Sequence, residues 1–446
     1  MTEGSPAKLI FFFSLPLMLG NVLQQVFIIT DTLIISRALG VRALAALGST
    51  DWFSYMMISV IQASAQGFAI LIAQTFGAGD EKQLKRVSAR STVLAVMMTV
   101  LLTAASIAMI RPVMIFQNTP LEVRPPAEEY LMVLFAGMPA MMLLNYCSSV
   151  LRSLGNSRTP LVSMAISAVI NVGLDWLMMM VLHTGVWGAA AATVAGQLLA
   201  GLYCFYVMRS LNELKAERED YKGSREIDLE LLKLSWPMMM QNLVISAGGI
   251  VVQSQVNKFG LANIAGYTAA SKLYGALELA ALAYGFAMVT YTGQNIGAEK
   301  YRRVKDGIKA SLAIGILSAA AIGGLILLGG KHVIGFFLNE EGQTALDALA
   351  VGTEFLNLMA VTLPVLYILH IARSVLQGFG DTVVPMMSGF AECAARILMA
   401  VAVSRLIGWP AMIWAEIAAW LAADLVLFKA LFSRVKGIDS IMNEQR

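Results

Sequence analysis

Long apolar stretches alternate with short polar ones along almost the whole chain. Each apolar stretch reaches the roughly 20 residues that an α-helix needs to cross the hydrocarbon core of a bilayer. The first of them follows Lys8 and resembles a signal peptide at residues 9–19, but it continues to Asp31 without a small-residue cleavage site. The pattern predicts twelve membrane spans, near residues 9–36, 51–76, 91–111, 130–151, 160–182, 187–208, 231–257, 266–295, 308–330, 346–373, 384–406 and 410–432. Proline removes a backbone donor and marks candidate bends at Pro16, Pro139, Pro237 and Pro364.

Composition supports a membrane protein and excludes several other classes. Of the 446 residues, 58% are hydrophobic and only 14% are charged, whereas about 25% charged residues are usual in soluble domains. This excludes a water-soluble enzyme, a nucleic-acid-binding protein and a secreted disulfide scaffold. The three cysteines all lie in apolar segments, where a thiol behaves as a small hydrophobic group, so they predict neither a disulfide framework nor a metal site.

The distribution of basic residues predicts the orientation and the domains. Lysine and arginine concentrate in the loops between spans 2 and 3, 4 and 5, and 8 and 9, and the longest polar stretch follows span 6. By the positive-inside rule, both termini and this central linker are cytoplasmic. We therefore predict an N-lobe at residues 1–209, a cytoplasmic linker at 210–230, a C-lobe at 231–432 and a cytoplasmic tail at 433–446.

The two predicted lobes resemble each other in sequence. The segment SVLRSLGNSRTP at 149–160 aligns with SVLQGFGDTVVP at 374–385, an offset of 225. The pattern Gln74-x-x-Gly77-Ala78 recurs at Gln294, at an offset of 220. Because each copy has an even number of spans, the copies share one orientation, and in transporters the substrate path then lies between the halves.

Polar residues within the spans are the functional candidates, because an ionisable group at mid-bilayer costs about 2.5–3.5 kcal/mol. Asp31 lies in span 1, Asn171 and Asp175 lie one turn apart in span 5, and Thr193 lies in span 6. Their oxygen atoms suit a small cation such as Na⁺, and two neighbouring carboxylates also favour taking up a proton. The alternative is a buried Asp175 held by local hydroxyl groups and an Asp31 that is close enough to the outer face to be wet.

Other polar residues divide into cavity and structural candidates. Asn21, Gln24 and Gln25 make span 1 too polar to face lipid on all sides, which predicts a watery cavity. Glu392 and Arg396 have the spacing and order of a helical ion pair. Glu278, six residues from Lys272 and therefore on another face, is a candidate second-lobe carboxylate. The remaining acidic residues of span 12, Glu416 and Asp424, are interpreted as structural or interfacial.

Motifs for ATP binding, zinc proteolysis and serine esterase chemistry are absent from the sequence, and the three histidines are scattered. The sequence therefore predicts neither an enzyme nor a transporter driven by ATP through this chain alone, and no cofactor.

Several ordered segments carry a family resemblance. They are LPLMLGNVLQQVFIITDTLIISRALGVRALAALG, LIAQTFGAGD, LRSLGNSRTPL followed by NVGLD, VQSQVNKFGLANIAGYTAASK and TGQNIGA. In this order, and with two matching six-span halves, the chain resembles the multidrug and toxic compound extrusion (MATE) family. The resemblance implies an all-α integral membrane protein with twelve transmembrane helices, in two parallel-related six-helix lobes around a central V-shaped cleft. It also implies an antiporter that expels organic, often cationic compounds in exchange for Na⁺ or H⁺. We expect the protein to work as a monomer in the plasma membrane.

The resemblance also assigns residues. The first-lobe cation site of the family falls on Asp31, Asn171, Asp175 and Thr193, and a bend of span 1 near Pro16 would reshape the cavity. Some branches use acidic residues in spans 7 and 10, and this chain departs from them. In their place stand candidate second-lobe or cavity residues, namely Gln253 and Gln255 in span 7 and Tyr367 and His370 in span 10, with Glu278 as a substitute carboxylate.

Alternative functions remain at this point. A flippase for lipid-linked sugars has a related architecture, but it would display Arg and Lys in a central cavity, whereas the basic residues here lie mostly in loops. A non-transporting membrane scaffold or an intramembrane enzyme is a remoter alternative. Dense intramembrane polar groups disfavour the scaffold, and the lack of a catalytic constellation disfavours the enzyme.

Overall fold

The chain is helical throughout the parts that a computed structural model describes, residues 1–117, 119–337 and 343–444. No β-strand occurs in these ranges. The α-helices are α1 Pro6–Ala78, α2 Glu81–Phe116, α3 Arg124–Ala136, α4 Met138–Ser153, α5 Arg158–Asp175, α6 Val186–Ser210, α7 Arg225–Val256, α8 Leu261–Gly297, α9 Tyr301–Phe337, α10 Gln343–Gly378, α11 Val383–Ile397, α12 Ser404–Ile407 and α13 Pro410–Glu444. Two π-helical segments, Trp176–Val181 and Leu398–Val403, and a 3₁₀ turn, Asn212–Leu214, complete the described elements.

Nine stretches of helix in the described ranges are long and apolar enough to cross a membrane, and the bent pair of α3 and α4 brings the number to ten. Two of these candidate spans, Pro6–Leu39 and Ala46–Ala78, correspond to the first two predicted spans, and both lie within the continuous helix α1. The α3–α4 pair bends by 45°, at the position where Pro139 predicted a bend.

The two predicted spans that fall outside this count are present as helices. Helix α7 opens with the charged residues Glu226 and Asp228, and it contains Pro237. Helix α11 has only 15 residues before it passes into the second π-helical segment. Both helices are therefore present. Helix α7 differs from the other spans in its charged first turn, and α11 differs in the short length of its α-helical part.

The helices form two compact units. The N-terminal unit comprises Leu15–Met239, and the C-terminal unit comprises Met240–Arg446 together with Met1–Ser14. The start of the chain therefore belongs with the second half of the sequence, although α1 continues into the first. The lobe and linker boundaries derived from the sequence remain a prediction.

Equivalent positions of the two units repeat the same backbone features. A glycine with positive φ precedes α5 and another precedes α11, at Gly155 and Gly380. A π-helical segment follows each of these helices. A further positive-φ glycine then precedes α6 and α13, at Gly185 and Gly408. These shared irregularities follow the offset of the sequence repeat and extend it to the level of backbone conformation.

A bidentate ion pair fixes the polar linker to the N-terminal unit. The Arg90 guanidinium in α2 donates to both carboxylate oxygens of Asp228 in α7, at 2.8 and 2.7 Å. It also donates to the backbone oxygen of Tyr221 in the linker, at 2.8 Å. Planar two-point pairing of this kind is the strong form of an Arg–carboxylate contact.

Candidate cation-binding site

Two carboxylates meet inside the N-terminal unit. Asp175 is the last residue of α5 and is completely buried. Asp31, on α1, is half-buried, and its carboxyl group lies within electrostatic range of the Asp175 carboxyl group. Two neighbouring carboxylates repel each other, and burial removes the water that would screen them. A proton or a cation would therefore stabilise the pair in this interior.

Asn171 and Thr193 extend the site across two helices. Asn171, one turn before Asp175, is 1% exposed, and its amide Nδ2 donates to Thr193 Oγ1 on α6 at 3.1 Å. Close approach of the two helices at this level depends on Gly196. A Cβ atom at Gly196 would lie 2.8 Å from the backbone oxygen of Ser167 and 3.3 Å from the Asn171 Cβ. Glycine at this position thus allows Thr193 on α6 to approach Asn171 and Asp175 on α5.

Apolar side chains close the site on one side. Ile35, one turn after Asp31, and Met179, one turn after Asp175, belong to a buried cluster with Leu47 and Ala189. Tyr130 of α3 packs against this cluster. The side chains that follow the two carboxylates along their helices thus shield the pair from water.

Four buried oxygen atoms at the site have no hydrogen-bond partner in the part of the chain that the structure describes. They are Asp31 Oδ1, Asn171 Oδ1 and both carboxylate oxygens of Asp175. Buried polar atoms are normally paired, and these four are all acceptors in one place. Such a set can hold a proton between the carboxylates, or a small hard cation. The described residues contain no group of three or more His, Cys, Asp or Glu that could hold a metal ion, so a cation here would depend on the amide and hydroxyl oxygens as well.

Sequence reasoning missed two neighbours of this pair. Tyr130 lies within electrostatic range of Asp31, Asp175 and Asp51. Asp51, an acidic residue at the predicted start of span 2, was an available signal. No motif singled out Tyr130, because its approach to the pair depends on the packing of α3.

The other polar residues of α1 are not joined to the site. Gln24 is exposed and Gln25 is half-buried, and among the described hydrogen bonds none links either to the carboxylates. At 1.5 Å per residue they lie on the order of 10 Å along the helix from Asp31. Asn21 is half-buried and lies farther along the same helix. Pro16 lies inside α1, and a bend at Pro16 and a watery cavity around these amides remain predictions.

The second-lobe candidates separate into two groups. His370 Nε2 lies 3.2 Å from Glu278 Oε1, which joins α10 to α8. Tyr367, fully buried and one turn earlier on α10, donates to the backbone oxygen of Leu277 at 3.2 Å. The structure thus brings these candidates together.

The two glutamines of α7 lie apart from that group. Gln253 donates to Asn257 Oδ1 at 3.1 Å, and Gln255 accepts from Lys258 Nζ at 2.9 Å. These are local contacts at the end of α7.

A buried chain of four charged residues crosses the C-terminal unit. The predicted pair is confirmed, with Arg396 2.9 Å from Glu392. Glu392 also accepts from Arg373 of α10 at 2.8 Å, and Arg396 also donates to Glu416 of α13 at 2.7 Å. The sequence did not predict these two contacts. Arg373 is 19 residues from Glu392 along the chain, and Glu416 is 20 residues from Arg396.

The internal repeat relates this chain of charges to the first-half site. At the offset of 225, Asn171 corresponds to Arg396. At the offset of 223 between Gly185 and Gly408, Thr193 corresponds to Glu416. A hydrogen bond between an amide and a hydroxyl in one half therefore stands where an ion pair stands in the other.

A sequence model of one family matches both halves. The MatE model matches residues 16–177 and 237–402. The chain belongs to the MatE family of multidrug efflux transporters. MatE proteins transport small molecules across membranes and are not enzymes, and this chain is a multi-pass membrane protein with their all-helical fold.

Similar MatE proteins align over most of the chain. The probable multidrug resistance protein YpnP of Bacillus subtilis is 30% identical over 85% of this chain and 84% of its own length. The probable multidrug resistance protein NorM of Thermotoga maritima is 24% identical over 84% of this chain and 81% of its own. A crystal structure of MATE in complex with MaL6 superimposes with a TM-score of 0.90 at 21% identity, covering 98% of both chains. At that identity the structural likeness defines the fold alone.

Proposed function

We propose that this MatE protein is an antiporter that exports organic, mainly cationic compounds in exchange for H⁺ or Na⁺. The observation that carries the proposal is the set of four unpaired, buried oxygen atoms of Asp31, Asn171 and Asp175. An acceptor-only set with two neighbouring buried carboxylates is stabilised by a bound positive charge, so its occupancy is tied to the ion supply.

The positions of the two carboxylates suggest how ion binding is coupled to movement. Asp31 belongs to α1, whereas Asp175 lies where α5 passes into the π-helical segment Trp176–Val181. π-Helical segments recur at functional sites. A bound cation draws the two carboxylates together, and its loss separates them by mutual repulsion. The ion shifts the conformational equilibrium only by its different affinities for the two states.

The proposed substrate class rests on the names of the relatives. YpnP and NorM are both named probable multidrug resistance proteins. We extend that activity to this chain, with organic cations as the substrates. We further propose that it works as a monomer in the plasma membrane, with both termini cytoplasmic and without a cofactor.

Transport into proteoliposomes tests the proposal. The probe is ethidium, and its uptake is compared under an imposed pH gradient and an imposed Na⁺ gradient. Asp31→Asn and Asp175→Asn are expected to lower the gradient-driven rate by a factor in the range of about 5–150, the usual span of a coupling free energy. Glu213→Gln, an exposed carboxylate in the linker, is the matched control and is expected to transport like the wild type.

The identity of the ion follows from the effective gradient and from Thr193→Val. If the ion is Na⁺, loss of the hydroxyl oxygen raises the Na⁺ concentration required for transport. If the ion is H⁺, Thr193→Val retains most of the transport driven by the pH gradient. Folded wild-type protein that transports ethidium under neither gradient would contradict the proposal and would favour a lipid-linked substrate.

A further inference from the structure

The C-terminal unit contains a buried carboxylate that the chain of ion pairs leaves out. Asp424 of α13 is 5% exposed, and its Oδ1 atom has no hydrogen-bond partner among the described residues. It lies one turn after Trp420, whose ring stacks on Tyr274 of α8 with a centroid separation of 5.9 Å. The side chain is therefore held in a packed interior, where an ionised carboxylate has lost the water that would stabilise it.

The neighbouring charges balance without Asp424. Arg373 and Arg396 carry two positive charges, and Glu392 and Glu416 carry two negative charges, in contacts of 2.7 to 2.9 Å. Arg373 and Glu392 both lie within electrostatic range of Asp424. An ionised Asp424 would thus add an uncompensated negative charge to a neutral cluster, which is the costly arrangement for buried ions.

The same neighbours distinguish between a proton and a metal ion. A metal cation beside Asp424 would be repelled by the Arg373 guanidinium, whose Nε atom is buried and also without a partner. A proton neutralises the carboxylate without placing a second positive centre beside that guanidinium. A protonated Asp424 also gains an O–H donor, which can serve a neighbouring acceptor.

The cluster has an accessible end. The Glu278 side chain is 32% exposed, and His370, which it contacts, is 12% exposed. His370 lies within electrostatic range of Glu392, and Glu392 within range of Asp424. Titratable groups of α8, α10 and α11 thus form a series from the accessible Glu278 to the buried Asp424, in which each group lies within electrostatic range of the next.

We propose that Asp424 is a second proton-binding site, which the C-terminal unit loads and empties through Glu278 and His370. In loading, hydronium at the accessible Glu278 side gives a proton to His370, the N–H bond of His370 then breaks as the O–H bond of the Asp424 carboxyl group forms, and neutral His370 is regenerated. Emptying reverses both transfers. The site is separate from the Asp31–Asp175 pair, and it does not depend on which ion that pair binds.

Infrared difference spectroscopy of the purified full-length protein tests this. The C=O stretch of a protonated carboxylic acid is recorded as a function of pH in three proteins: wild type, Asp424→Asn, and a double variant with Asp31→Asn and Asp175→Asn. The expected result is a carboxylic acid band that is lost in Asp424→Asn and retained in the double variant. Glu213→Gln is the control and is expected to keep the band that Asp424→Asn loses.

Further variants keep the test decisive. Asp424→Glu retains the carboxyl group and is expected to shift the band, which covers the case in which Asp424→Asn does not fold. His370→Gln is expected to slow the appearance of the band after a pH jump without removing it at equilibrium. A spectrum that Asp424→Asn and Asp424→Glu both leave unchanged would overturn the proposal, whatever the transport assay shows for the Asp31–Asp175 pair.

Discussion

Replacing Arg396 by methionine removes the centre of the buried chain of charges. Methionine is also long and unbranched, so the change mainly removes the guanidinium and its donors. Glu416 then loses both of its hydrogen bonds from Arg396, at 3.1 and 2.7 Å, whereas Glu392 keeps its contact with Arg373. One buried carboxylate is left without a partner.

The expected cost follows from that unpaired charge. Removing one partner of a buried ion pair costs about 3–5 kcal/mol, whereas replacing both partners by apolar residues is often neutral or stabilising. We therefore expect Arg396→Met to lower the free energy of unfolding by about 3–5 kcal/mol. The double variant that adds Glu416→Met is expected to regain most of this loss, because the remaining pair of Arg373 and Glu392 is again neutral.

Equilibrium unfolding in detergent micelles measures both effects. The seven tryptophans provide the fluorescence signal, and equal slopes against denaturant concentration show that the variants are comparable. Arg434→Met is the matched control, because it breaks an ion pair with Asp381 in which the arginine side chain is 52% exposed, and such pairs contribute about 0–1 kcal/mol. A single variant within 1 kcal/mol of the wild type, or a double variant as unstable as the single one, would refute the argument from charge balance.

Two further predictions concern the N-terminal unit. Gly67→Ala is expected to destabilise the unit, because the added Cβ would lie 2.3 Å from the Ser235 Cα, a backbone atom that cannot rotate away. Gly173→Ala is the control, because no atom lies within 4 Å of its Cβ. Similar thermal unfolding temperatures for the two variants would contradict the packing argument. Arg90→Ala is expected to release the linker, so that limited trypsin digestion cuts there faster than in the wild type. The exposed Arg86→Ala is the control for that change, and an unchanged cleavage rate in Arg90→Ala would mean that the ion pair does not hold the linker.

Features that depend on residues close to one another in the sequence were predictable. The apolar stretches predict the helices, and the spacing of four residues predicts that Asn171 and Asp175 share a face and that Glu392 pairs with Arg396. The bend at Pro139 follows from the chemistry of proline alone. In each case the decisive interaction lies within one or two turns of a helix.

Features that depend on packing between helices were not predictable in this way. The partners Arg373 and Glu416 become visible only when α10, α11 and α13 lie together. The π-helical segments have no sequence signature, because an extra residue in a helical turn is stabilised by the surroundings. The continuity of α1 between the first two predicted spans was also not predictable, because the apolar pattern marks the spans and not the path of the chain between them.

The correspondence between Asn171 and Arg396 has a consequence for the history of the two halves. In the proposed function the first half binds a cation that arrives from solution and leaves again. In the second half the positive charge belongs to the Arg396 side chain, which is a covalent part of the protein. A guanidinium cannot leave the protein, so at this position the second copy permanently carries the positive charge that the first copy holds only when loaded. Duplication would thus have produced one position whose charge exchanges with solution and one whose charge is built in, and reversal of the roles would require an exchange at just these paired positions.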